Sequence, residues 1–485
     1  MEESNGNNVI KGLTWTFAER IMAQLVSTIV TIILARILDP AHYGIISIVT
    51  VFISICDVFV TSGFNSAVVQ KKNVTETTFN TAFIISFTIS IILYIILFIS
   101  APGISEFYNM PELIAIIRVM GLRLPLAAYN SIQQAEIQRS MKFKKFFIRT
   151  SVGTIISAFV GIALALSGFG VWALVGQYLT NSIVDSIMLQ VLGIWKPSLR
   201  FSIKEAKEIY SFGWKVLLTN VVSTLETDIR SLIIGKVFSA SDLAYYDQGK
   251  KYPSLLVYNV NNAVNKVMLP AYSKKQDDII GLKNMLRKSI RVGMFILAPI
   301  LIGFALVSEN FVHLILTDKW MLAVPYMQIF CFVYITRPLE SSCHQALLAI
   351  GRSGTVLKII TIIQIFSFMT VMVAVFIFKS VLLIAAGLLL STLVSLTGFM
   401  LMTWKYLGYS LKEQLQDILP TIIVALIMGG AVWAVSYLGF SILATFIIQI
   451  LLGAIIYILL SYVFRLQAFE YIKEKLVSML KRIRK

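Results

Sequence analysis

Long apolar runs separated by short polar stretches dominate the chain. Residues 79–105, 150–184, 359–378, 380–404 and 418–464 carry no Asp, Glu, Lys or Arg. A helix needs about 20 residues to cross a bilayer, so 150–184 and 418–464 each hold two crossings. They divide at Ser167-Gly168-Phe169-Gly170 and Tyr437-Leu438-Gly439-Phe440. With the charged runs included, the pattern predicts fourteen spans at 14–36, 42–62, 80–101, 113–136, 147–166, 170–191, 209–235, 252–272, 292–311, 323–347, 357–378, 381–404, 417–437 and 441–464. The expected fold class is all-α, a polytopic membrane protein of about fourteen transmembrane helices.

Six of these spans, numbers 1, 2 and 4 and then 7, 8 and 10, hold ionisable residues well inside. The same order six spans apart predicts two six-helix lobes in a parallel repeat, followed by two C-terminal helices. Thr14-Trp15 with Ile33-Leu34-Ala35-Arg36 is echoed by Gly213-Trp214 with Ile233-Ile234-Gly235-Lys236. Arg123-Leu124-Pro125 is echoed by Arg337-Pro338-Leu339. The expected organisation is an N-lobe over 1–191, a cytoplasmic interfacial linker over 192–208, a C-lobe over 209–404, two further helices over 405–464 and a basic amphipathic cytoplasmic tail over 465–485. Ser202-Ile203-Lys204-Glu205 matches a capping box and predicts a short interfacial helix leading into span 7.

Composition agrees with a membrane protein. Of 485 residues, 57% are hydrophobic and 14% charged, against about 25% charged in soluble domains. The formal net charge of +17 does not indicate nucleic acid, because the basic residues gather in alternate loops. Lys71 and Lys72, Arg139 to Lys145, Lys196 to Lys207 and Lys274 to Lys288 fall in even-numbered loops. This bias places both termini in the cytoplasm. The start Met-Glu-Glu has no basic leader, so span 1 is expected to act as its own insertion signal.

Charge inside a bilayer costs about 2.5–3.5 kcal/mol per residue on insertion scales and is kept where it faces a wet or protein-lined interior. The intramembrane set is Glu19, Arg20, Asp57, Arg118, Arg123, Glu226, Asp228, Arg230, Lys266, Arg337, Glu340 and His344. Two readings stay open: a charged cavity, or local ion pairs such as Glu226–Arg230 and Arg337–Glu340 at helical spacing. Phosphate-loop, zinc-protease and zinc-spacing motifs are all lacking. Cys56, Cys331 and Cys343 fall within spans and are expected to pack. No catalytic residue, metal site or resident cofactor is expected, and the chain is not read as an enzyme.

The stretch Ala35-Arg36-Ile37-Leu38-Asp39-Pro40-Ala41-His42-Tyr43-Gly44, followed by Gly63-Phe64-Asn65-Ser66-Ala67-Val68-Val69-Gln70, resembles the opening of bacterial polysaccharide exporters. These are lipid-linked oligosaccharide flippases of the multidrug/oligosaccharidyl-lipid/polysaccharide exporter superfamily. The resemblance implies alternating access between two lobes and a polyprenyl-pyrophosphate-linked sugar repeat unit as substrate. It implies a place in the bacterial inner membrane for synthesis of O-antigen, capsule or exopolysaccharide. On that basis Arg20, Arg230 and Lys266, then Arg123 and Arg337, are candidates for substrate contact. Asp57, Glu226, Asp228, Glu19 and Glu340 are candidate coupling or cavity carboxylates for sodium or protons. Membrane lipid, a polysaccharide polymerase and other envelope-assembly proteins are the expected partners, with no nucleic acid. A multidrug or organic-cation antiporter of the same superfamily, and a membrane enzyme or scaffold of envelope assembly, are the alternatives.

Overall fold

The structure, a computed structural model, describes residues 2–140, 142–192, 195–275 and 277–483. Side chains are described throughout except at 2–14, 16–18, 20–21, 143, 212, 226, 259–267, 269–270, 476–477 and 479–483. The described elements are all helical. They run α1 (Glu2–Ile37), α2 (Pro40–Gln70), α3 (Glu76–Tyr108), α4 (Leu113–Gly121), α5 (Arg123–Arg139), α6 (Phe143–Leu166), α7 (Val171–Val191), α8 (Ile203–Val237) and α9 (Ala240–Ser273). There follow α10 (Ile279–Phe311), α11 (Val324–Ile335), α12 (Arg337–Ala349), α13 (Ser353–Phe376), α14 (Val381–Leu407), α15 (Leu411–Val435), α16 (Ile442–Val463) and α17 (Gln467–Ile483). A π-helical turn at Val312–Leu316 and a 3-10 turn at Asp318–Ala323 separate α10 from α11.

Among the described residues, ten helical segments are long and apolar enough to cross a membrane, with a shorter apolar helix at Met22–Ile37. Three further helices, α7, α8 and α9, fall at the remaining expected spans, where polar residues interrupt the apolar composition. Helix boundaries recur along the chain. Helix α1 ends at Ile37 and α2 begins at Pro40; α8 ends at Val237 and α9 begins at Ala240, an offset of 200 at both boundaries.

Spans 4 and 10 are each broken where a single helix was expected. Helix α4 gives way to α5 at Leu122, and α11 to α12 at Thr336. The cause is proline. Pro125 has no N–H for the Gly121 carbonyl, and Pro338 has none for that of Tyr334. Arg123 and Arg337 each open the second half-helix.

Two other expectations change. Helix α8 begins at Ile203 and runs unbroken through span 7, so no separate interfacial helix forms. Ser202 accepts from the Glu205 backbone N–H at 3.4 Å, and nothing between them and Gly213 stops the helix. Helix α10 starts at Ile279, well before the expected 292. Lys283, Arg287 and Lys288 therefore lie on a helix and not in a loop.

The described contacts fall into two units, Met1–Ala244 and Tyr245–Lys485. In the first, α2 and α8 lie together along their length. A Cβ on Gly44 would stand 1.7 Å from the Ala240 carbonyl oxygen, and one on Gly63 would stand 2.7 Å from that of Gly213. Small residues permit such backbone approach in membrane helices. At the far end Lys71 bonds Glu205 and Glu208 at 2.6 and 2.7 Å. Arg139 caps the end of α2 by donating to the carbonyls of Val68, Val69 and Lys71 at 3.1, 3.0 and 2.6 Å. The segment after α7 is pinned by Asn80 to Ser198 and by Gln133 to the Trp195 carbonyl.

In the second unit a core of Leu286, Ile290, Met294, Leu339, Phe399 and Met428 joins α10, α12, α14 and α15. Arg287 holds Asp417 in a two-pronged pair at 2.8 and 3.0 Å. Arg291 and the Tyr409 hydroxyl also reach that carboxylate. Helix α17 covers most of the tail, and Phe469 packs beside Phe295. Its Leu476, Leu480 and Ile483 side chains lie outside the described residues.

Candidate functional site: a polar cavity in the first unit

A cavity of about 490 Å³ opens among α2, α5, α7 and α8. Thirteen of its fourteen lining residues are polar, Ala127 being the exception. Thr61, Ser62, Asn65 and Ser66 come from α2, and Asn220 from α8. The second half of broken span 4 supplies Arg123, Asn130, Ser131, Gln134 and Gln138; α7 supplies Asn181, Ser182 and Asp185. On α5, positions 123, 127, 130, 134 and 138 recur at three- and four-residue steps, so they share one helical face. Discontinuous helices near the middle of transporter lobes commonly carry the binding site.

Local hydrogen bonds fix this wall. Asn65 donates to the Ser131 carbonyl at 2.9 Å, and Ser186 donates to the Asn130 side-chain oxygen at 2.9 Å. Arg123 donates from Nε to Ser182 at 3.2 Å, with its guanidinium over the Tyr178 ring at 5.3 Å. Its charge is also felt at Asp57, whose Oδ1 is buried with no hydrogen-bond partner among the described residues. Asp228 accepts from Ser54 across the α2–α8 seam at 2.8 Å.

Beside the cavity lies a buried charge cluster. Arg149 of α6 is 6% exposed and pairs with Asp185 of α7 at 3.5 Å. Glu19 of α1 acts electrostatically on both. Arg149 and Asp185 sit at the two edges of the uncharged run 150–184, and the α6–α7 turn at 167–170 lies midway between them. A hairpin folded there brings the two ends level. That symmetry is the signal in the sequence, and charge in the middle of spans does not reveal it.

The remaining expected site residues divide. Arg230 is half-buried on α8, two positions past Asp228. Arg337 and Glu340 lie in the second unit, 3.8 Å apart, and Glu340 also accepts from Thr336 at 2.8 Å. They pair locally. Arg118 leans on Phe98, 4.2 Å from the ring centre, away from the cavity wall. His344 packs edge-on against Phe399. The side chains of Arg20, Glu226 and Lys266 lie outside the described residues. Among the described residues, no three His, Cys, Asp or Glu side chains gather as a metal site.

The motif that carried the resemblance has a structural role. Pro40 opens α2, and the Asp39 N–H donates to His42 Nδ1 at 3.4 Å. Gly44 admits the Ala240 backbone. Neutral side chains build most of the cavity, and the pattern of charge along the sequence does not single them out. Their signal was amide and hydroxyl residues recurring along α5 at helical steps.

Comparisons with known proteins agree with this architecture. The Lipopolysaccharide biosynthesis protein WzxC of Escherichia coli (strain K12) is 23% identical over 87% of this chain and 87% of its own length. The Succinoglycan biosynthesis transport protein ExoT of Rhizobium meliloti (strain 1021) is 21% identical over 67% of this chain and 65% of its own. Among solved structures, the Lipid II flippase MurJ in its inward closed conformation superposes with a TM-score of 0.76 at 14% identity. It covers 94% of this chain and 98% of that one. An inward-facing multidrug resistance MATE family transporter of the MOP superfamily gives 0.61 at 16% identity, covering 80% and 96%. The model of the Polysaccharide biosynthesis protein family matches residues 33–325, more than half of the sequence, and the chain belongs to that family.

Proposed function

We propose that the protein is a flippase that carries polyprenyl-pyrophosphate-linked oligosaccharide repeat units across the bacterial inner membrane for surface polysaccharide synthesis. The observation that carries this reading is the polar cavity walled by α2, α5, α7 and α8. Amides and hydroxyls facing a space between helices of membrane length suit the passage of a polar group. Membership of a polysaccharide biosynthesis family and relatives named for lipopolysaccharide biosynthesis and succinoglycan transport support the substrate class. The tail of the carrier stays in lipid while its headgroup crosses by alternating access. The activity is transport, with no covalent chemistry.

Basic residues in alternate loops support cytoplasmic termini. Glu19, Asp57 and Asp228 are our candidates for coupling to sodium or protons, because each is an acidic group near the cavity or its seam. A polymerase that consumes the delivered repeat unit is the expected partner. Deletion of the gene tests the reading. Loss of surface polymer with accumulation of single lipid-linked repeat units supports it. Normal polymer with heightened sensitivity to cationic dyes contradicts it and favours an antiporter.

A further inference from the structure

Most cavity residues are neutral. The lining carries one cation, Arg123, and one anion, Asp185. Each is already engaged: Arg123 with Ser182 and the Tyr178 ring, Asp185 with Arg149. A diphosphate placed here would meet a single cation, Arg123, with the Asp185 carboxylate in the same lining, so most of its negative charge would stay uncompensated, and a buried uncompensated charge costs several kcal/mol.

The amides are differently placed. The side chains of Gln134, Gln138, Asn181 and Asn220 line the cavity without a hydrogen bond to any described residue. Each presents donors and an acceptor side by side. Sugar hydroxyls, which donate and accept from neighbouring positions, are the complementary ligand. The volume of about 490 Å³ falls within the range of roughly 300–1,000 Å³ of small-molecule sites.

We infer that this cavity is a subsite for an uncharged sugar of the headgroup, held by the amides of α5, α7 and α8, and that the diphosphate binds elsewhere. The inference rests on the flippase reading and sharpens it. Specificity then lies in which hydroxyls the amides meet. A site built to hydrogen-bond a hydroxyl strongly rejects an analogue that lacks it.

Ser62 lines the cavity, and Cys56, Cys331 and Cys343 are buried. A Ser62→Cys variant of the full chain in membrane vesicles therefore reports on the cavity by its reaction with N-ethylmaleimide. Ser66→Cys serves if that variant does not fold. Three probes are compared: the oligosaccharide released by mild acid from lipid-linked repeat units, polyprenyl pyrophosphate, and inorganic pyrophosphate. The released oligosaccharide at ten times its Kd is expected to slow labelling by about tenfold, and the two phosphates to leave it unchanged. Equal protection by either phosphate overturns the inference, because the cavity is then an anion site. So does labelling that no probe slows. The flippase reading is judged separately by accumulation of lipid-linked repeat units in the deletion strain. Accumulation without protection at Ser62→Cys removes the sugar subsite alone; a strain that exports normally removes both.

Discussion

At the scale of single residues, two features control stability more than their sequence context suggests. Arg149 and Asp185 form a buried pair, and Arg149 Nε and Nη1 find no hydrogen-bond partner among the described residues. Breaking such a pair by removing one partner costs about 3–5 kcal/mol, whereas removing both costs less. Arg149→Met and Asp185→Leu are each expected to destabilise the protein strongly, and the double variant less than the sum. A double-mutant cycle of unfolding in detergent checks this; simple additivity would remove the coupling. Gly44 is the second feature. Gly44→Ala places a methyl group against the Ala240 carbonyl and is expected to cost about 1–3 kcal/mol or more, as overpacking does. Gly103→Ala, with nothing within 4 Å of the new atom, serves as the control. It is expected to gain up to about 1 kcal/mol of helix propensity. Thermal midpoints of the two variants should move in opposite directions.

At the scale of elements, most of the helices were legible from apolar run length, because lipid tolerates only internally hydrogen-bonded backbone. The broken helices were not. Arg123-Leu124-Pro125 and Arg337-Pro338-Leu339 were visible as matching strings, but a proline can kink a span or end it. Here each ends one half-helix and starts another. Pro125→Ala restores a partner for the Gly121 carbonyl and allows α4 and α5 to join, turning Arg123 away from the cavity. Thermal stability is expected to rise, since proline inside a helix costs about 3 kcal/mol, while export falls. Retained export at higher stability would detach the break from function.

The α2–α8 clamp gives the seam a pH dependence. Desolvation works against the Lys71 ammonium, but the bonds and charges of Glu205 and Glu208 outweigh it and hold the pKa above that of an ordinary lysine. Desolvation also opposes the Glu205 carboxylate; bonds from Lys71 and Thr78 outweigh it and hold the pKa below the usual range. The Glu205 contribution is present above the ordinary glutamate pKa of about 4.3 and is lost as pH falls through its lowered value. The Lys71 contribution is present below about 10.4 and is lost as pH rises through its raised value. The stability difference between wild type and Lys71→Met should be largest at neutral pH and shrink in acid. A difference independent of pH between 7 and the acid range would show that the clamp contributes packing alone.

At the scale of the whole molecule, the doubled order of charged spans announced a repeat, and helix boundaries recur at an offset of 200. The candidate site was less legible. Charge patterns singled out Arg123, which lines the cavity, and Asp57 and Asp228, which do not, whereas the amide and hydroxyl residues that form most of the cavity wall carry no charge and cost less in a span. Arg149 and Asp185 were masked by lying at the ends of an uncharged run. The central claim is that the cavity serves passage of a lipid-linked sugar headgroup. Its most direct test is transfer by the purified full chain in proteoliposomes loaded with lipid-linked repeat units, read as the fraction of headgroup open to an added glycosidase over time. The account predicts that this fraction rises beyond its value in protein-free vesicles and that Gln134→Ala with Asn181→Ala slows the rise. An unchanged fraction, with the same protein moving a cationic dye against an ion gradient, would contradict it.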